Sequence, residues 1–157
     1  MLWRIAAETR EYRADDMSGG GAARNPGRWN EPGQRVVYAA PTIAMAVLET
    51  AAHVRDAGLP LNRYLVSIKL PEDVWNASGE LAPSALPVSW DAIPSGATSA
   101  AEGAAWLRSL STAILLVPSV IVPEERIALI NPAHPDAGRL QCAVVRRFDY
   151  HRLFRSA

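Results

Sequence analysis

The side chains able to do chemistry are few and lie far apart. Glu49 sits in a segment whose apolar residues Ile43, Val47, Ala51 and Val54 recur at helical spacing, with Ala44 and Leu48 alongside, so this stripe should face a core and the glutamate the other side. Met45 and His53 lie four residues either way from it, and small Ala46 and Ala52 flank the same surface, leaving room for a ligand to approach. A fixed carboxylate there can stabilise a growing positive charge. A solvated surface glutamate is the ordinary alternative. All the basic residues but Lys69 are arginine, whose planar fork suits two-point contacts to carboxylate or phosphate. Arg4 stands in an opening apolar stretch and Arg28 behind a glycine-rich loop, while Pro118-Ser119 interrupts a strand whose continuation ends at Pro123, which leaves Ser119 at a bend or sheet edge.

Other chemistries lack their residues. His53, His134 and His151 are far apart and none has a metal-ligand spacing such as HExxH, so no metal site is expected. The run Gly19-Gly20-Gly21 is not followed by GK[ST], and no GxGxxG joins a strand to a helix, which removes the P-loop and dinucleotide-fold signatures. Ser119 has no GxSxG context, and Cys142, the sole cysteine, lies in a predicted strand where it reads as a small core residue.

The elements that must position these groups follow from local pattern. Leu2 to Ile5 and Gln34 to Ala40 read as short strands, with the loop Ser18 to Asn30 between them. Pro41-Thr42 supplies a break and an N-cap for a helix running to about Ala57, closed by Gly58. Arg63 to Leu70 alternates, with Tyr64, Val66, Ile68 and Leu70 on one face. Pro71 to Gly96 is rich in proline and small polar residues and reads as a long irregular connection. A helix over Ala97 to Leu110 and a buried strand over Thr112 to Val117 follow, then strands over Arg126 to Ile130 and Leu140 to Phe148. Trp29, Trp75, Trp90 and Trp106 read as packing anchors. The sum is a mixed α/β or α+β fold over 1–157 as a single domain.

Composition sets the compartment and the partners. Sixteen Lys+Arg balance sixteen Asp+Glu, so no global field draws in nucleic acid or an anionic membrane. With 49% apolar and 20% charged residues the chain has a globular profile. One cysteine allows no intrachain disulfide and fits a reducing compartment, and no leader-like or membrane-spanning apolar run is present, so a cytoplasmic location is expected.

Five separated stretches, in order and spanning nearly the whole chain, carry a resemblance. They are Trp3-Arg4-Ile5; Ser18-Gly19-Gly20-Gly21-Ala22 leading to Gly27-Arg28-Trp29-Asn30; Val37-Tyr38-Ala39-Ala40 with Glu49 eleven residues after Tyr38; Val117-Pro118-Ser119; and Leu129-Ile130-Asn131-Pro132-Ala133-His134-Pro135. Together they resemble the RES domain, found as toxins of bacterial toxin–antitoxin pairs. The chain departs from the family pattern at Pro26, where a second glycine is usual, and at Arg126-Ile127-Ala128, where an asparagine often stands. The first bears on loop stiffness and the second on a structural hydrogen bond.

The resemblance implies an α+β fold similar to ADP-ribosyltransferases, with a split mixed β-sheet flanked by helices. It implies NAD+ as substrate rather than a resident cofactor, cleavage of its nicotinamide–ribose bond by hydrolysis or phosphorolysis, and an Xre-family antitoxin that covers the site. Nicotinamide in NAD+ is already cationic and leaves as a neutral base, so one carboxylate suffices where an ordinary glycoside needs a second, protonated one. Glu49 would then stabilise the positive ribose ring. Arg4 and Arg28 would hold the pyrophosphate or ribose, and Tyr38 would flank the nicotinamide. Ser119 would hydrogen-bond the ribose or orient Glu49, and Asn30 is a candidate NAD+ contact with loop bracing as its alternative. Two other readings stand beside this one: a mono-ADP-ribosyltransferase with a protein acceptor, and a non-catalytic module that binds a partner.

Overall fold

The computed structural model describes residues 1–52 and 59–153. Among them the order is β1 (Leu2–Ala7), α1 (Gly20–Arg24), β2 (Val37–Ala39), α2 (Ile43–Ala51), β3 (Arg63–Lys69), α3 (Glu72–Asn76), β4 (Gly79–Glu80), α4 (Ala97–Ser109), β5 (Ile114–Pro118), β6 (Arg126–Ile130) and β7 (Gln141–Phe148). The fold is α+β and its sheet is split. One part has three antiparallel strands in the order β1-β3-β7; the other has four in the order β2-β6-β5-β4, mixed because β4 runs parallel to β5. An isolated antiparallel bridge links the two, where the amides of Trp3 and Ala40 each donate to the other's carbonyl at 2.8 and 2.7 Å.

Alternation along β1 sorts its side chains between two faces. Trp3 and Ile5 pack with Met45, Ala46, Trp29 and Leu129 in the larger core cluster, while Leu2 and Ala6 join separate clusters on the opposite face. Helix α2 lies against β1 and begins as expected at Thr42, whose Oγ1 accepts from the Met45 amide at 3.1 Å. Its buried face matches the expected one in part: Val47, Leu48 and Ala51 pack, half-buried, against the larger core cluster as expected. Met45 and Ala46 are the buried positions and Ile43 and Ala44 are exposed, which brings Glu49 to the inner side, three and four residues on. The expected continuation through His53 and Val54 to Ala57 and Gly58 lies outside the described residues.

The 71–96 connection is more structured than its composition predicts, since α3, β4 and a 3-10 turn at Pro83–Ala85 occupy its first half. Trp29, Trp90 and Trp106 are buried anchors, with Trp29 and Trp90 stacked at 6.0 Å; Trp75 is 37% exposed and anchors nothing in the core. Among the described residues no helix is long and apolar enough to cross a membrane.

Gly103 marks where α4 meets the loop that carries Arg28. A Cβ built there would lie 1.9 Å from the Trp29 carbonyl oxygen. Alanine is favoured over glycine inside helices by about 1 kcal/mol, but a clash with backbone has no flexible side chain to yield. Gly103→Ala is therefore expected to destabilise the chain by roughly 1–3 kcal/mol despite its better helix propensity, read as a lower midpoint in urea.

Candidate active site

Ser119 follows directly on β5, and its backbone amide donates to the Glu125 carbonyl at 3.0 Å, which closes the turn toward β6. The side chain is fully buried. Its Oγ accepts from the amides of Ile121 and Val122, both at 3.1 Å, and lies 2.5 Å from Glu49 Oε1. A serine hydroxyl has one proton and two lone pairs. With two N–H donors already pointing at the oxygen, that proton is left for the carboxylate. Ser119 therefore holds Glu49 from the far sheet and is not poised as a nucleophile.

Arg28 approaches the same carboxylate from the glycine loop. Its Nη1 donates to the carbonyls of Trp90 at 2.8 Å and Ala92 at 2.9 Å, tying the loop to a segment more than sixty residues away in sequence. Burial pushes its guanidinium below the ordinary value, opposed by Asp91, Glu49 and Tyr38 nearby. An arginine stays cationic under such a shift.

Tyr38 and Asn30 turn out to build this loop. The Trp29 amide donates to Tyr38 Oη, and Tyr38 Oη donates to Asn30 Oδ1, each at 2.9 Å. Asn30 Oδ1 also accepts from the Gly27 amide, and its Nδ2 donates to the carbonyls of Ala22, Glu31 and Gln34. Every polar atom of this buried amide is thus spent on the loop. Burial also drives the Tyr38 phenol well up, so it remains a protonated donor. A Cβ at Gly27 would come within 2.7 Å of the Tyr38 ring, so only glycine lets the loop lie this close.

The expected convergence of Arg4 on the site is not found. It alternates with Trp3 and Ile5 and so emerges on the other face of β1, where its Nη1 donates to the Asp16 carbonyl at 3.0 Å. There it borders a cavity of ≈ 490 Å³ whose lining includes Tyr12, Arg13 and Arg24 but neither Glu49 nor Ser119. Cys142 lies near that arginine, half-buried, and burial pushes its thiol up, away from thiolate character. Asn131 and His134 brace local backbone through the Leu107 carbonyl and the Asp136 amide. Among the described residues no group of three or more His, Cys, Asp and Glu side chains is arranged to hold a metal ion.

The structure thus brings Glu49, Ser119, Arg28 and Tyr38 to one place. It adds the 90–92 segment, which sequence reading missed. No spacing could have revealed that contact, because the arginine meets backbone carbonyls rather than a matching side chain.

Comparison with known proteins gives the family and the fold. Residues 1–152 match the family model described as the RES domain. The chain is 53% identical over 157 residues to "Prs ADP-ribosylating toxin" of Sphingobium sp. strain YBL2, covering 99% of this chain and 98% of that protein. It is 37% identical over 134 residues to "Toxin Res" of Yersinia enterocolitica, covering 85% of each. Among solved structures, the MbcT–MbcA toxin–antitoxin complex of M. tuberculosis has a chain that superposes with a TM-score of 0.58 at 20% identity, over 92% of this chain and 83% of that one. At that identity the likeness is one of fold.

Proposed function

The chain belongs to the RES-domain family, and from that membership we propose that it is the toxin of a toxin–antitoxin pair, which breaks the nicotinamide–ribose bond of NAD+ and passes ADP-ribose to a protein. The observation that carries the reading is the Glu49 carboxylate, fixed by the buried Ser119 hydroxyl at 2.5 Å with Arg28 within electrostatic reach. As the bond between ribose C1′ and the pyridinium nitrogen stretches, its electron pair goes to the nitrogen and neutral nicotinamide departs. Positive charge grows on the ribose, where a preorganised anion favours the transition state over the ground state. The acceptor then bonds to C1′ and gives up a proton.

In this proposal Glu49 is the catalytic anion and Ser119 positions it. Arg28 holds the pyrophosphate through the N–H groups not engaged by Trp90 and Ala92. Tyr38 and Asn30 keep the arginine's loop in place. Arg4 braces the far side of β1, and NAD+ is substrate, with no resident cofactor needed. The partner would be an Xre-family antitoxin that masks the cleft. The 53% relative supports a protein, Prs, as acceptor. Water and phosphate are the other nucleophiles the same cation would take.

Purified chain incubated with adenylate-labelled NAD+ and purified Prs should release nicotinamide and leave label on Prs. Free ADP-ribose alone would make the reaction hydrolysis, and ADP-ribose-1″-phosphate would make it phosphorolysis. No nicotinamide release under any of these conditions would remove the enzyme reading and favour a binding module.

A further inference from the structure

The outward N–H and C=O groups of a sheet edge can pair with a foreign strand, so edges are usually kept short or covered. Three edges here follow that rule: β2 has three residues, β4 has two, and β1 is tied to the second sheet through Trp3 and Ala40. The remaining edge is β7, which at eight residues is the longest strand described and which pairs only with β3 among the described residues. Its residues from Ala143 to Arg147 are exposed, Val144 and Val145 among them, and the strand holds no proline or lysine to discourage pairing. A register shift opposite Leu65 and Val66 leaves Val145 without a partner in β3, a bulge that twists the strand and keeps paired residues on both sides of it.

Charge at the C-terminal end of this edge selects the occupant. The Arg146 guanidinium carbon lies 5.7 Å from the centre of the Phe148 ring, and Arg147 donates to the Leu61 carbonyl at 2.8 Å. Alternation puts the two arginines on opposite faces, and Arg63 stands beside them as the register partner of Phe148. None of the three has an ion pair among the described residues. Asp149, the next acid along the chain, is engaged as the cap of the following turn, where it accepts from the His151 amide at 3.0 Å. We propose that the β7 edge takes an extended acidic segment of a protein partner as an added strand, main chain to main chain, with its carboxylates at the arginine end. Cross-strand pairs of opposite charge stabilise such an addition, and like charges opposed destabilise it. A second copy of the chain would supply the main chain but not the charge, since β7 itself contains no Asp or Glu. The proposal stands apart from the NAD+ chemistry.

The probe is a fluorescein-labelled peptide of about ten residues, alternating Thr and Val with two Glu at one end, made in both directions to suit a parallel or an antiparallel strand and read by fluorescence polarisation. One of the two should bind the parent chain with a Kd about tenfold or more below that of the same peptide carrying Lys in place of Glu. Arg146→Thr with Arg147→Thr keeps strand-forming residues and should erase that preference with an unchanged circular dichroism spectrum. An added strand donates to the edge from one side only, so of two peptides N-methylated at alternate residues in staggered patterns, one should lose binding and the other keep it. Equal affinity for the Glu and Lys peptides, a preference that survives the arginine changes, or methylated peptides that behave alike would each overturn the proposal. Binding of neither acidic peptide also overturns it, and a parent chain that then sediments as a dimer assigns the edge to a second copy.

Discussion

Glu49→Gln is expected to leave the fold intact and to slow nicotinamide release by roughly 10²–10³-fold, the size of a lost preorganised electrostatic contact. Glutamine has the shape of glutamate, and its amide oxygen can still accept the Ser119 proton, so the buried hydroxyl keeps its partner. What disappears is the negative charge. Because that charge acts on the ribose only as the bond breaks, the loss should fall on kcat, with the KM for NAD+ little changed. Circular dichroism and a thermal midpoint within a few degrees of the parent would establish that the fold survives. A glutamine variant that turned over at the parental rate would take Glu49 out of the mechanism.

Arg28→Ala should act differently, because its guanidinium has two duties. Charge-assisted hydrogen bonds are worth about 1.5–3 kcal/mol each, so losing the grip on pyrophosphate should lower kcat/KM for NAD+ by roughly 10–150-fold, mostly through KM. The same change removes the donors to the Trp90 and Ala92 carbonyls and frees the segment between them. Arg28→Lys separates the duties. A point charge still attracts phosphate but cannot span two carbonyls and a ligand together, so KM should recover only in part. A KM for NAD+ equal to the parent's in the alanine variant would leave Arg28 a purely structural brace.

Much of this architecture is legible in local pattern. Alternation over Arg63 to Leu70 finds β3, the Arg126 to Ile130 strand matches β6 at both ends, and Pro41-Thr42 marks the start of α2. The face of α2 is legible only in part: Val47, Leu48 and Ala51 meet the core as their spacing predicts, but Ile43 and Ala44 yield the first turn to Met45 and Ala46, because apolar residues fill nearly all of that turn. A stripe chosen from such a sequence has no rival polar face to exclude it, and contact with β1 decides instead.

For Arg4 the signal is present in the alternation itself: a residue between Trp3 and Ile5 on a strand must point away from the face they share. Gly103, a lone glycine in an alanine-rich helix, likewise marks a close backbone approach. The roles of Tyr38 and Asn30 in building the loop rest on hydrogen bonds that no spacing encodes. The flanking prolines put Ser119 at a bend or sheet edge, yet only the count of its donors shows where its proton goes.

The reciprocal bridge between Trp3 and Ala40 gives the molecule a crease. On one side Glu49 rides on a helix packed against β1, and on the other Ser119 hangs from the end of β5 in the neighbouring sheet. The bond between them is thus a latch across the crease as well as a local support. Removing the Ser119 hydroxyl would therefore take away a tie between the two sheets as well as a partner of the carboxylate.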